Sequence, residues 1–133
     1  MSYKTKILVG SLFIVLNTPK VLLAVDCKTI LAKLPSHNAQ TSEQAKMVEN
    51  FENQCKQRQD VTDGASLKEC ITVGMRAMAV SGNFVAAEKM AKIECEAGND
   101  EISKTWMGMV VNNQNATQKD RDVAQEAIDN NNN

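Results

Sequence analysis

The chain has 133 residues, of which 43% are hydrophobic, 4% are aromatic and 23% are charged, and its formal net charge is −1. A chain of this length holds a single small domain. No basic run interleaved with aromatic residues occurs in it, which excludes nucleic acid and anionic membrane surfaces as partners.

The first 24 residues have the layout of a cleavable secretory signal. Lys4 and Lys6 form a basic start, residues 7–16 form an apolar run, and a short segment ends at Ala24. A run of about 10 residues is too short to cross a bilayer, which takes about 20. We therefore expect cleavage after Ala24 and export without a membrane anchor.

The expected mature chain is acidic. Removing the signal removes three of the 15 basic side chains and none of the 16 acidic ones, so 12 remain and the net charge becomes about −4. We expect residues 25–129 to form one helical domain and residues 130–133, all asparagine, to be a disordered tail. The shape of the signal favours the bacterial periplasm as the location.

The expected domain is all-α, because strand patterns are nearly absent and helix patterns are frequent. The sequence predicts about six helices arranged as three antiparallel hairpins. The signals are helix-capping residues, apolar residues spaced three and four apart, and polar or glycine-containing breaks between them. Ser66 followed by Glu69 is interpreted as the capping box that opens the third helix. The expected helix ranges are 27–34, 42–59, 67–80, 84–97, 101–111 and 117–128.

All four cysteines, Cys27, Cys55, Cys70 and Cys95, lie in the expected mature domain. An even number of cysteines in an exported chain predicts two disulfides. Close Cys-x2-4-Cys pairs, which zinc sites favour, are missing from the sequence, as is the Cys-x-x-Cys motif of redox enzymes. We therefore expect neither a metal site nor a redox centre.

The disulfide pairing follows from hairpin geometry, because residues equidistant from a turn face each other. The midpoint of Cys70 and Cys95 falls in the turn at 81–83, and that of Cys27 and Cys55 falls at the edge of a polar loop. This favours Cys27–Cys55 and Cys70–Cys95. One alternative pairs Cys55 with Cys70 across the loop at 60–66 and leaves Cys27 with Cys95, and a crossed pairing is the remaining possibility.

Residues 66–128 resemble the tetratricopeptide and Sel-like class of α-hairpin repeats. The resemblance rests on Gly74, on "GNF" at the following turn, and on Ala87 and Ala91, small residues that let paired helices approach closely. Gly108 lies 34 positions after Gly74, a spacing typical of such repeats. The resemblance implies stacked helical hairpins that bind other proteins, and it implies a disulfide between the paired helices of one unit, such as Cys70–Cys95.

Methionine is frequent in the second and third predicted hairpins. Adaptable packing in a core with few aromatic residues is one reason for it. The functional interpretation is a pliable apolar groove for a protein partner, formed by the first helices of these hairpins. Its expected contact residues are Met75, Met78, Trp106 and Met109.

No catalytic constellation is visible in the sequence. The only histidine, His37, lies in a polar loop and is interpreted as a solvated loop residue rather than a general base. Phosphate-binding loops, nucleophile elbows and metal-binding helix motifs do not occur. We therefore expect a protein that is not an enzyme and needs no cofactor.

These observations favour an exported, non-catalytic protein that binds an unidentified protein partner. One alternative is a periplasmic immunity or inhibitor protein that neutralises a toxin or a cell-wall hydrolase. A further alternative is a helical carrier of a small apolar ligand, which would require a closed cavity lined by methionine.

Overall fold

A computed structural model describes residues 25–130 of the chain. The predicted signal at 1–24 and residues 131–133 lie outside the described residues. Within residues 25–130 the fold is all-helical, with six helices and no strand, so the predicted fold class is confirmed. The helices are α1 (Cys27–Leu31), α2 (Glu43–Gln57), α3 (Gly64–Val80), α4 (Phe84–Glu96), α5 (Asp100–Val111) and α6 (Gln118–Asp129).

Short polar side chains fix where most helices begin. Asp26 caps α1, and Ser42 caps α2 by accepting a hydrogen bond from the Ala45 amide at 3.2 Å. Asn83 caps α4 in the same way, with its side-chain oxygen 3.0 Å from the Ala86 amide. Each cap satisfies an amide that has no partner inside its helix.

The predicted capping box of α3 is wrong by one turn. The helix begins at Gly64, and its N-cap is Asp63, whose carboxylate accepts from the Ser66 amide at 2.8 Å. The Ser66 hydroxyl receives the Asp63 amide at 3.1 Å, so Ser66 is the third helical residue of the box and not its cap. Asp63 was available as a strong cap in the sequence, and it adds one turn to the helix.

Helices α3 to α6 pack as consecutive antiparallel neighbours. The turn between α3 and α4 contains Gly82 at a φ of +107°, and the turn between α4 and α5 contains Gly98 at +83°, backbone conformations that favour glycine. Helix α2 packs on α3 and α4. Gln44 anchors it there, since its carbonyl accepts from the Asn83 side chain at 3.0 Å and its side chain accepts from the Phe84 amide at 2.7 Å.

The core lies around α4, which contacts α1, α2, α3 and α5. Its fully buried alanines, Ala86, Ala87 and Ala91, leave room for the helices on both sides. The Ser103 hydroxyl of α5 donates to the Ala91 carbonyl at 2.8 Å, which fixes α5 against it. Methionines fill much of the remaining core space; Met75, Met90 and Met107 are at most 1% exposed.

The two disulfides are Cys27–Cys95 and Cys55–Cys70, with Cα atoms 6.0 Å and 5.9 Å apart. The favoured pairing, Cys27–Cys55 and Cys70–Cys95, is therefore wrong, and the alternative pairing is the one that the fold contains. Cys55–Cys70 joins α2 to α3 across their loop. Cys27–Cys95 joins the first helix to the end of α4.

The pairing differs from the expectation because α1 does not form a hairpin with α2. It packs instead against α6 and α4, with Ile30 and Leu31 buried in the common core. The loop at 32–42 is long enough to carry the chain from this position to the start of α2. A rule that places equidistant residues opposite each other applies only to helices that pair, and α1 and α2 do not.

The end of the helical domain is tied to its beginning. The Asn130 side chain donates to the Val25 carbonyl at 2.6 Å, and the Asn130 carbonyl accepts from Lys104 at 2.7 Å. Asn130, the first residue of the predicted tail, is thus hydrogen-bonded through both its side chain and its backbone carbonyl. None of the helices in residues 25–130 combines the length and apolar character that crossing a membrane requires.

Gly74 is required by packing between α2 and α3. A Cβ atom at this position would overlap with the ring of Phe51, which lies against the glycine. Gly108, its predicted repeat equivalent, has no atom within 4 Å of such a Cβ. Only Gly74 therefore has the close-packing role that the resemblance to α-hairpin repeats implies for both glycines.

We predict that Gly74→Ala destabilises the fold by up to about 2 kcal/mol, because overpacking costs about 1–3 kcal/mol and the higher helix propensity of alanine offsets about 1 kcal/mol of it. Gly108→Ala, the matched control, is expected to be neutral or stabilising by up to about 1 kcal/mol. Urea unfolding followed by circular dichroism measures both. Equal effects of the two substitutions would contradict the assigned Phe51 contact.

We predict that non-reducing digestion and mass spectrometry recover peptides linked through Cys27–Cys95 and Cys55–Cys70. In the chain-entropy model a 68-residue separation stabilises by about 4 kcal/mol and a 15-residue separation by about 3. Replacing Cys27 and Cys95 by serine should therefore cost more stability than replacing Cys55 and Cys70. A peptide linking Cys27 to Cys55 would refute this pairing.

Candidate functional site

The four residues predicted to contact a partner do not lie on one surface. Met75 and Trp106 belong to the core, at 1% and 8% exposure, so they are not available to a partner and this part of the prediction is wrong. Met75 belongs to α3 and Trp106 to α5, and both side chains lie on the inward apolar face of their helix. Met78 is half-buried and Met109 is 37% exposed, and each lines a separate cleft.

The larger of these clefts is a groove of about 530 Å³ between α3 and α5, above α4. Its apolar lining includes Val80, Phe84, Ala87 and Met109, and Thr105 adds a polar group. Val80 is 66% exposed, the highest value among the large hydrophobic side chains of the described residues. Exposure of this kind at a concave surface is typical of binding sites.

A second cleft, of about 310 Å³, lies between α2 and α3 and is lined by Met47 and Met78. Gly82 and Asn83 line both clefts, so the two meet at the turn between α3 and α4. We call Met47, Met78, Val80 and Met109 together the apolar turn surface. Met78 and Met109 were predicted from the sequence as contact residues, whereas Met47 and Val80 were not.

A buried polar cluster lies between α4, α6 and the loop at 32–42. His37 from the loop at 32–42 approaches Asp120 of α6, and its Nε2 lies 3.0 Å from both carboxylate oxygens. The His37 side chain is only 10% exposed, and its ring packs edge-on against Phe84 at 5.2 Å. The interpretation of His37 as a solvated loop residue is therefore wrong.

Asp120 is completely buried and has several hydrogen-bond donors. It is the third residue of the α6 capping box, so its Oδ2 accepts from the Thr117 amide at 3.0 Å and from the Thr117 hydroxyl at 2.7 Å. The Thr117 hydroxyl in turn receives the Asp120 amide at 3.1 Å. The capping box thus holds the Asp120 carboxylate where His37 can hydrogen-bond to it.

Glu88 of α4 is the third member of the cluster and is 5% exposed. One of its oxygens, Oε2, is buried without a hydrogen-bond partner among the described residues. One ligand atom from each of Glu88, His37 and Asp120 lies within 4.8 Å of the other two. Two carboxyl groups and one imidazole therefore share a small buried volume.

The two carboxyl groups have opposite pKa shifts. Burial, a hydrogen bond to Asp120 and the negative charge of Asp120 raise the pKa of Glu88 to about 9. Burial would also raise the pKa of Asp120, but hydrogen bonds from its three neighbours outweigh it and hold that pKa below its usual value. At neutral pH, in the absence of a cation, Glu88 is thus protonated and Asp120 ionised.

The cluster has the groups for acid–base or metal chemistry but no nucleophile among the described residues. No serine or threonine hydroxyl hydrogen-bonds His37 there, and the Ser42 hydroxyl caps α2. The ligand atoms of Cys27, Cys95 and Asp100 also lie close together. Both of those sulfur atoms are in a disulfide, which removes the thiolates that a metal would need.

Part of this cluster had a signal in the sequence. Glu88 lies four residues after Phe84 and three before Ala91, on the apolar face of α4, where a solvated charge does not fit. Asp120 is an acidic residue near the start of a helix, a common pattern that does not by itself indicate a buried site. Its capping position at the third helical residue after Thr117 was visible, but the approach of His37, 83 residues earlier, was not.

No protein-family model matches this chain, and comparisons with curated proteins and with solved structures find no match.

We predict that Glu88→Gln gains stability relative to the wild type as pH rises. The folded wild type holds a proton on Glu88 between about pH 4.5 and 9, whereas the unfolded chain has lost it, so wild-type stability falls across this window. Glutamine does not titrate. The stability difference should therefore grow with pH, by at most about 1.4 kcal/mol per unit.

Urea unfolding at pH 5, 6, 7 and 8, with a chelator present, measures this difference. Glu126→Gln serves as the control, because the Glu126 side chain is 48% exposed in a surface ion pair with Lys33. The difference in unfolding free energy between Glu126→Gln and the wild type should stay nearly constant over these pH values. A constant difference for Glu88→Gln would mean that Glu88 is ionised in the folded protein.

Proposed function

We propose that this chain is an exported, non-catalytic α-hairpin protein that binds another protein through the apolar turn surface. The observation that supports this most directly is the exposure of Val80 and Met109 on the two walls of one groove. An apolar centre with polar groups at its edge is the usual anatomy of a protein interface. Two disulfides in the described residues are consistent with an oxidising compartment outside the cytosol.

The arrangement of α3 to α6 also supports a relationship to tetratricopeptide and Sel-like proteins, which we include in the proposal. Consecutive antiparallel packing of these helices places α3 and α5 on either side of an open groove. Stacked hairpins typically bind their partners in such concave surfaces. Val80 and Met109 occupy the ends of α3 and α5, which are the first helices of the second and third predicted hairpins.

The chemistry of the surface indicates the kind of partner. The apolar turn surface carries no charge, and the groove is bordered by Thr105, Asn112 and Asn113. Residues 25–130 as a whole carry a surplus of about four acidic groups. A partner with exposed apolar side chains inside a basic surface would therefore fit best, because long-range attraction would speed its approach.

We predict that Val80→Asp and Met109→Asp each weaken partner binding at least tenfold, or about 1.4 kcal/mol, by placing a charge in the apolar centre. Val73→Asp is the matched control. Val73 lies two turns earlier on the same helix, is 60% exposed and lines neither cleft of the apolar turn surface.

Tagged wild type and variants would be purified from the cells that encode the chain, and the bound protein quantified by native mass spectrometry. Loss of one stoichiometric partner with Val80→Asp but not with Val73→Asp supports the proposal. Equal capture by all variants would reject the apolar turn surface. If the captured partner is a toxin or a cell-wall hydrolase that this chain inhibits, the function is that of an immunity protein.

A further inference from the structure

His37, Glu88 and Asp120 come from three separate elements, the loop at 32–42, α4 and α6. Tertiary packing alone brings one ligand atom from each to within 4.8 Å of the others. All three groups are types that bind metal ions. Hydrogen bonding within the cluster explains the His37–Asp120 contact, but it leaves one carboxyl oxygen of Glu88 without a partner among the described residues.

Glu88 Oε2 is the observation that points to a ligand. The side chain is 95% removed from solvent, and this oxygen meets no donor among the described residues. A buried polar atom without a partner costs free energy and is rare in native structures. None of the four lysines of α2 and α4 donates a hydrogen bond to it.

We propose that His37, Glu88 and Asp120 form a binding site for a single divalent transition-metal ion, preferentially Zn²⁺. The ligands would be Nε2 of His37 and one carboxylate oxygen from each acid. The sequence contains neither close cysteine pairs nor a metal-binding helix motif, so it gave no reason to expect a metal site. This donor set contains no sulfur.

The donor types select the class of metal. An imidazole nitrogen favours Zn²⁺ and its transition-metal neighbours, whereas Mg²⁺ and Ca²⁺ prefer oxygen ligands alone. Three protein ligands leave the fourth position of a tetrahedral zinc site for water. Two ionised carboxylates would also balance the two positive charges of the ion, so the buried site would be neutral overall.

The His37–Asp120 distance needs only a small adjustment, and the Glu88 oxygen, which lies within 4.8 Å of both other ligand atoms, would move inward on metal binding. Neighbouring ligands of a tetrahedral zinc ion with bonds of about 2.0–2.1 Å lie roughly 3.3 Å apart. His37 Nε2 is now 3.0 Å from Asp120 Oδ1, and the metal would replace the proton that joins them. Oδ2 would keep its bonds from Thr117, which fix the ligand as outer-shell groups do in metal sites.

Solvent reaches the site from one side. His37 lines a cleft of about 350 Å³ together with Gln44, Asn115 and Thr117. A cation could enter there, and the fourth ligand water could occupy it. The bound metal would add a further link between the loop at 32–42, α4 and α6, beside the existing contacts of His37 with Asp120 and Phe84.

Isothermal titration of the purified, chelator-treated chain with Zn²⁺ tests the proposal. The wild type should bind one ion saturably, and both Glu88→Gln and His37→Asn should lower the affinity at least tenfold. Glutamine retains a donor for Asp120, so Glu88→Gln should fold as judged by circular dichroism. Glu126→Gln removes an exposed carboxylate instead and should bind like the wild type.

X-ray absorption of the zinc-loaded wild type gives a second measurement that depends on no variant. It should show only nitrogen and oxygen ligands, and sulfur at about 2.3 Å would overturn the assignment. Absence of saturable 1:1 binding by the wild type would also overturn it. So would unchanged affinity in Glu88→Gln and His37→Asn, since the three groups would then form a hydrogen-bonded cluster only.

Discussion

The burial of α4 on nearly every side is the constraint on which the rest of the structure depends. Its first two turns contain fully buried alanines, so α3 and α5 can approach closely, and α1 and α2 cover what remains. A helix in this position has no solvent-facing side near its start. A polar side chain in that segment needs hydrogen-bond partners or a ligand from other elements. Glu88 is such a side chain.

The polar cluster follows from that constraint. Glu88 is enclosed with Asp120, whose own position is set by the capping box of α6, and His37 completes the group from the loop at 32–42. The pKa of Glu88 is raised because burial disfavours its charged form, and the hydrogen bond to Asp120 and the negative charge of Asp120 add to this effect, so only Asp120 is ionised at neutral pH. The cluster therefore links stability to pH and gives a cation three converging ligands.

The apolar turn surface lies around the turn between α3 and α4, and Phe84 lines its groove while also contacting His37 of the polar cluster. Its groove exists because α3 and α5 both pack on α4 and stay apart from each other at their ends. The disulfides stabilise this arrangement from outside, with Cys55–Cys70 holding α2 on α3 and Cys27–Cys95 holding α1 on α4. The proposed interface and the proposed metal site share no contact or ligand residue, so each proposal can fail without the other.

Local signals in the sequence determined the helices, most of their caps and the presence of two disulfides, because caps and apolar spacing act within a few residues. Tertiary structure decided what depends on distant contacts. It placed α1 on α4 and α6, which chose the pairing of Cys27, and it put Met75 and Trp106 in the core while leaving Val80 exposed. It also brought His37 to Asp120 across 83 residues, a contact that no local pattern encodes.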